Sequence, residues 1–442
     1  MAQRKVVIMG AAGKDFHVFN TCYRENQDAR VVAFTATQIP GIDDRRYPPE
    51  LAGAQYPEGI PIRPEEQLAE VIAEFGADDV VFAYSDVSYA YVESRADICR
   101  KAGAAFHRFD VDKTMLRSNK PVIAVCAVRT GCGKSQTSRR ILTLLRDKGM
   151  KVVAIRHPMP YGDLAKQAVQ RFATLEDLTK HECTIEEMEE YEPHILHGHV
   201  VYAGVDYGAI LAEAEKEADV ILWDGGNNDT PFYRPDLHIT VADALRPGHE
   251  LDYFPGRVNF EMSDMILINK CDTGEEDSIA QVEKNAAQLN PNAKVLRASS
   301  PVTVSDPDAI RGKRVLVVED GPTLTHGGMK IGAGVVAAEQ CGVSEIIDPR
   351  PYAVGGIADT FAAYPETGKV LPAMGYSDAQ IADLAATIDA ADCDAVVVGT
   401  PIDLGRVIDI KKPHVRVTYE LGDDSNEPLL AAIDAAFARR SD

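Results

Sequence analysis

Lys134 and Ser135 close a glycine-rich run, Thr130-Gly131-Cys132-Gly133-Lys134-Ser135, and that order of residue types suits a polyphosphate. Glycines let consecutive backbone N–H groups close around phosphate oxygens. The lysine would reach the β and γ phosphates, and the serine hydroxyl would ligate Mg2+. The spacing departs from the common loop, because the position five residues before Gly133 is Val128. It fits a deviant loop of the type Lys-Gly-Gly-x-Gly-Lys-Thr, in which Arg129 stands where the second lysine would be. An arginine there would fork onto phosphate oxygens. Nucleotide contacts are therefore expected from Thr130, Gly131, Cys132, Gly133, Lys134, Ser135 and Gln136, with Arg129 and Lys134 acting on the transferred group. Cys132 reads as a small loop residue before it reads as a redox switch.

Two further motifs follow in the order that nucleotide chemistry requires. Val220-Ile221-Leu222-Trp223-Asp224 is an apolar run ending in an acid, then Gly225-Gly226. Asp224 would hold Mg2+ together with Ser135, and Gly225 would let the backbone approach the γ-phosphate. Asn269-Lys270-Cys271-Asp272 ends a third apolar run. The Asp272 carboxylate can accept two hydrogen bonds from guanine N1 and N2, a pair that adenine lacks. That tetrapeptide favours GTP, so ATP with GTP as the other possibility is the expected nucleotide. Candidates for an anionic substrate are Lys14 and His17 in Gly10-Ala-Ala-Gly-Lys-Asp-Phe-His17, and His326 and Lys330 in Thr325-His-Gly-Gly-Met-Lys330-Ile-Gly-Ala-Gly334. Arg156, His157 and Asp163 follow a strand end close to the phosphate loop and are further candidates for phosphate or water.

Chemistry of this kind needs a rigid frame. The phosphate loop sits between an apolar strand, Val122 to Val125, and a helix whose apolar face carries Ile141, Leu142, Leu144 and Leu145. Strands alternating with helices run from end to end, which predicts an α/β protein with parallel sheets. Residues 1–115 read as a Rossmann-like domain, 116–300 as a P-loop nucleotide-binding domain and 301–442 as a C-terminal α/β region. The first turn lacks the full dinucleotide fingerprint, so NAD binding is disfavoured. Residues 37–66, rich in proline and charge, are too broken for a long element and are either a ligand cover or a surface loop. Residues 174–199, acidic and carrying His194, His197 and His199, read as a polar or substrate-lining loop, with a metal site as the lesser alternative.

The chain has 442 residues, 45% of them hydrophobic, enough for two or three cores. Its formal net charge of −22 argues against nucleic acid as the main partner and requires a local cation cluster for any anionic ligand. Eight cysteines without a C-x-x-C pair predict neither a zinc nor a disulfide framework, and fit a reducing, cytoplasmic setting. No apolar run reaches ~18 residues, so no membrane span is expected.

Taken together, GAAGKDFHVFN, AVRTGCGKSQTSR, WDGGNND, INKCD and VEDGPTLTHGGM resemble the cyclic 2,3-diphosphoglycerate synthetase family over nearly the whole chain. The resemblance implies an enzyme that uses ATP and Mg2+ to close 2,3-diphosphoglycerate into an intramolecular pyrophosphate, releasing ADP and phosphate. It also implies a homodimer. Relatives are broad enough to admit another small phosphorylated or carboxylated substrate. The alternative of a different class is a regulatory or chaperone-type GTPase acting on a protein partner.

Overall fold

The computed structural model describes residues 3–37, 45–156, 162–325, 329–374, 378–401 and 403–441. Three sheets follow one another along the chain. The first runs, edge to edge, Arg46–Tyr47, Ile60–Pro64, Ala29–Ala36, Arg4–Met9, Asp79–Phe82 and Ala105–Arg108. Pairing is parallel except between Arg46–Tyr47 and Ile60–Pro64. After the first strand, the short helix Lys14–Val18 continues as one wider π turn, Phe19–Tyr23.

The middle sheet has eight strands: Gln170–Phe172, Val200–Ala203, Val152–Arg156, Val220–Asp224, Val122–Ala127, Leu237–Asp243, Met265–Asn269 and Lys294–Arg297. All but the first are parallel. Val122–Ala127 is central, and all six of its residues are buried. A strand covered on both faces must be apolar throughout, which is why it reads as a continuous hydrophobic run. The third sheet runs Val302–Val304, His414–Tyr419, Ala395–Gly399, Arg314–Asp320 and Glu345–Ile346, with Leu371–Ala373 also on Arg314–Asp320.

Two features tie these units together. Val87–Ser88, from the first unit, pairs antiparallel with Tyr253–Phe254, from the middle one. The last helix, Asn426–Ser441, leaves the third sheet and buries Leu429 and Ile433 in the same cluster as Ile141, Leu142 and Leu145. Residues 174–199, read from sequence as a loop, instead form helices Leu175–Lys180 and Ile185–Leu196, each begun by a capping box. No described helix is long and apolar enough to cross a membrane.

Candidate active site

The phosphate loop is shaped from outside by its carbonyls. Arg246 Nη2 donates to Thr130 O at 2.8 Å, Lys270 Nζ to Gly131 O at 2.7 Å, and Asn269 Nδ2 to Cys132 O at 2.9 Å. Both cations rest on the buried Asp243 carboxylate, each at 2.9 Å. Burial pushes that carboxyl up, but Lys270 and Arg246 outweigh it and hold it below the usual range. Peptide planarity then turns the N–H groups of Gly131 and Gly133 the other way, into the hollow of the loop, while Cys132 N donates to Arg129 O at 3.4 Å. Gly131 and Gly133 have φ of 81° and 104°, in the left-handed region. A Cβ on Gly133 would collide with the Asn269 amide, and one on Gly131 would lie 2.8 Å from Met329 Sδ. The hollow fits a polyphosphate, and the Lys134–Asp147 helix begins directly beneath it.

Asp224 is wholly buried at the end of its strand and gathers three partners. Lys134 Nζ lies 2.6 Å from Oδ1, while Arg156 and His194 share Oδ2, the histidine at 3.1 Å. Arg156 also pairs with Glu190. Burial raises the Asp224 carboxyl, yet Arg156 and Lys134 outweigh it and keep it well below the usual range. Burial lowers Lys134 to about 8, with Arg156 adding to the fall. Burial takes His194 down to about 4, so at neutral pH a neutral ring donates from Nε2 to Asp224. The Asp224 carboxylate is thus ionised and already bound by Lys134, Arg156 and His194; a carboxylate and a serine hydroxyl such as that of Ser135 are the oxygen ligands magnesium takes at a phosphate loop.

Arg129 is buried beside the loop, its Nε 2.9 Å from Asp86 Oδ1 and its guanidinium 3.7 Å from the Tyr253 ring centroid. Cys132 is buried, and its thiol is pushed up to about 11 by that burial, which keeps it protonated. Asp272 stands exposed at the cavity mouth and accepts from Ser300 N at 2.8 Å, while Ser300 Oγ bonds Gln136. So Asn269 and Lys270 reach the loop carbonyls, while Asp272 bonds the backbone of Ser300, a cavity-lining residue.

A cavity of about 250 Å³ joins the loop to the third unit. Arg129, Lys134, Ser135, Gln136, Arg156 and Lys270 line one side; Glu189, Glu190, Glu319 and Asp320 also line it. Lys14 and His17 are not among its lining residues. Lys14 is buried between the Phe109 and Phe232 rings, bonded to Thr114 Oγ1 at 3.2 Å, and lowered by burial to about 8. His17 stacks on Phe232 and donates to Thr114 O; burial keeps it neutral. Lys330 is exposed, 3.8 Å from Glu366. His326 and His157 lie outside the described residues, and Asp163 is exposed, accepting from Ala165 N. The glycines after Lys330 start a helix whose Val335 N–H bonds Glu319, so an internal carboxylate occupies that cradle. His197 and His199 bond Pro193 O and Thr143; among the described residues no group of three or more potential ligands could hold a metal.

Sequence reading missed Asp243, Arg246 and Glu190. Asp243-x-x-Arg246 directly follows an apolar strand, a visible signal; Glu190 is one acid among many and gave none.

The P-loop-domain profile of cyclic 2,3-diphosphoglycerate synthetase matches residues 194–299, a stretch that includes Asp224 and Asn269 to Asp272. Arginine synthetase ArcE of Thermococcus kodakarensis is 60% identical over 437 residues, covering 99% of this chain and 97% of that protein. Among solved structures, Aquifex aeolicus LpxK in complex with ATP is 14% identical at a TM-score of 0.43, over 84% of this chain and 99% of its own. The cell-division protein MinD of the same organism is 14% identical at 0.18, over 55% and 86%. With 60% identity held over 99% of its length and a P-loop profile match at its centre, the chain belongs to the cyclic 2,3-diphosphoglycerate synthetase family of nucleotide-using synthetases.

Proposed function

We propose that this protein is an ATP-dependent synthetase that converts a ureido acid into a guanidino acid, with citrulline and ammonia as substrates and arginine as product. The observation that carries this reading is 60% identity over 437 residues to a protein named for making arginine. Replacing a ureido oxygen by nitrogen requires that oxygen to leave, and phosphorylation makes it able to. The ureido oxygen attacks the γ-phosphorus and ADP departs. Ammonia then adds to the carbon, the C–O bond breaks, and phosphate leaves with its oxygen. Ureido acid, ATP and ammonia thus give guanidino acid, ADP and phosphate.

In this reading the loop N–H groups and Lys134 hold the β and γ phosphates, and Arg129 takes the charge that develops on the transferred group. Ser135 and Asp224 would hold magnesium, which would supply charge neutralisation for the polyphosphate. His194 and Arg156 keep Asp224 ionised and fixed. Glu189, Glu190 and Asp320 along the cavity suit a substrate with cationic nitrogen better than a bisphosphate, which would meet them as repulsion.

A second reading, closure of 2,3-diphosphoglycerate to its cyclic pyrophosphate, is favoured by the profile match over residues 194–299. There a substrate phosphate accepts the γ-phosphoryl group and the other phosphate displaces it as the ring closes. One experiment separates them: Mg2+ with ATP or GTP, offered citrulline plus ammonium or 2,3-diphosphoglycerate, followed by phosphorus NMR and amino-acid analysis. Arginine with ADP and phosphate is expected. A cyclic product without arginine would install the second reading, and no nucleotide turnover would sink both. Lys134→Ala should lower turnover about 10³-fold or more while the melting temperature holds.

A further inference from the structure

Arg129 belongs to the phosphate loop, but both groups that hold it lie on a ribbon between the first and middle units. That ribbon is the antiparallel pair Val87–Ser88 and Tyr253–Phe254. Asp86 immediately precedes its first strand and has φ of 58°, a conformation that non-glycine residues rarely adopt. Its carboxylate grips two neighbours at once. Oδ1 lies 2.9 Å from Arg129 Nε, and Oδ2 accepts from Thr130 Oγ1 at 2.7 Å and from Thr130 N at 3.3 Å. The second strand supplies Tyr253, whose ring lies against the guanidinium at 3.7 Å. Its neighbour Phe254 is anchored in the first unit's core, with ring contacts to Phe82 and Phe109 at 5.8 and 5.9 Å. One residue before Asp86, Ser85 donates to Asp229, on the loop that follows Asp224. Consecutive residues of the first unit therefore touch both nucleotide loops of the middle one.

An unrestrained arginine carries rotamer entropy that is lost whenever it is aimed. A guanidinium already fixed between a carboxylate and a ring face meets that cost on folding and not in the transition state. The carboxylate also compensates the burial of the charge. We propose that Asp86 and Tyr253 are positioning residues that aim Arg129 at the transferred phosphoryl group, so that phosphoryl transfer depends on the first unit being docked through the ribbon. This rests on the reading of the phosphate loop as the site of phosphoryl transfer and adds to it a role for the N-terminal unit.

The test uses the full chain and MgATP, with and without citrulline and ammonium, reading ADP release, and titrates a fluorescent ATP analogue for affinity. Asp86→Asn is the informative variant, because asparagine tolerates the left-handed backbone and its amide oxygen still accepts from Thr130. It should lower kcat about tenfold or more, with nucleotide KM and Kd within about threefold, in assays run well below the variant's own melting temperature, which the lost charge compensation lowers. Tyr253→Leu, which removes the ring face from the guanidinium, should follow Asp86→Asn. In an Arg129→Ala background Asp86→Asn should add little, because both act through one guanidinium. An unchanged kcat in Asp86→Asn, or a full loss retained in the Arg129→Ala background, overturns the proposal. Parallel falls in melting temperature and affinity would mark a merely structural role and also overturn it. Wild-type protein that neither binds the analogue nor releases ADP overturns the phosphate-loop reading itself.

Discussion

Glu319 illustrates what one side chain can decide. The glycines after Lys330 promise a cradle for an external anion, and they do form one. A Cβ on Gly332, Gly334 or Gly399 would run into the Glu319 carboxyl, which fills the space and accepts from Val335 N at 3.0 Å. The helix start is thus matched to a carboxyl group built into the chain, which accepts its backbone N–H. Burial pushes that carboxyl up to about 8. Its folded value lies above the unfolded one, so its proton contributes stability that is complete below about 4.5 and lost as pH rises through about 8. Between those values wild type should lose about 1.4 kcal/mol per pH unit relative to Glu319→Gln. Melting curves of both proteins at about pH 5 and about pH 9 check this, and curves that stay parallel would refute it. Asn269 and Lys270 teach a related lesson. The motif was legible as Asn-Lys-x-Asp, but which members touch the loop depends on where its carbonyls point.

At the scale of elements, the Ile185–Leu196 helix is the clearest difference from sequence. Its many acids suggested a polar loop. Yet Thr184 and Glu187 form a capping box, with Thr184 N donating to Glu187 Oε2 at 2.8 Å, and Met188, Tyr191 and Ile195 turn one apolar side to the middle core. The spacing Thr-x-x-Glu followed by an apolar i, i+3, i+7 stripe was present in the sequence but masked by charge density. The helix matters because it carries Glu190 to Arg156 and His194 to Asp224. Removing the cap by Thr184→Ala should cost about 1 kcal/mol, or roughly fivefold faster hydrogen exchange at the first helical amides. Unchanged exchange there would show that tertiary packing alone holds the helix start. Val122–Ala127 behaves oppositely, since its apolar run fixes a central strand whatever its neighbours are.

At the scale of the whole molecule, the last helix crosses back to close the nucleotide-binding unit. Leu429 and Ile433 are fully buried against it, and Lys148–Asp434 and Arg440–Asp236 pairs flank them. Truncation after residue 424 would remove those two side chains and expose the surface they cover, a loss of about 3–6 kcal/mol from the lost burial alone. The melting temperature should fall clearly, and a truncated protein that melts with the full chain would refute this packing as a source of stability.

The chain's own order of residues determined the α/β alternation, the position of the phosphate loop and the acid that follows the second strand motif. These are local: hydrophobic periodicity, glycine placement and strand-end residues act over a few positions. Only the tertiary structure decided that Asp243 braces the loop through Arg246 and Lys270, that Asp86 and Tyr253 hold Arg129, and that Lys14 and His17 are buried apart from the cavity. Each of those depends on which strand ends and crossovers meet in space, and contacts between separate elements of the chain leave no periodic trace in the sequence.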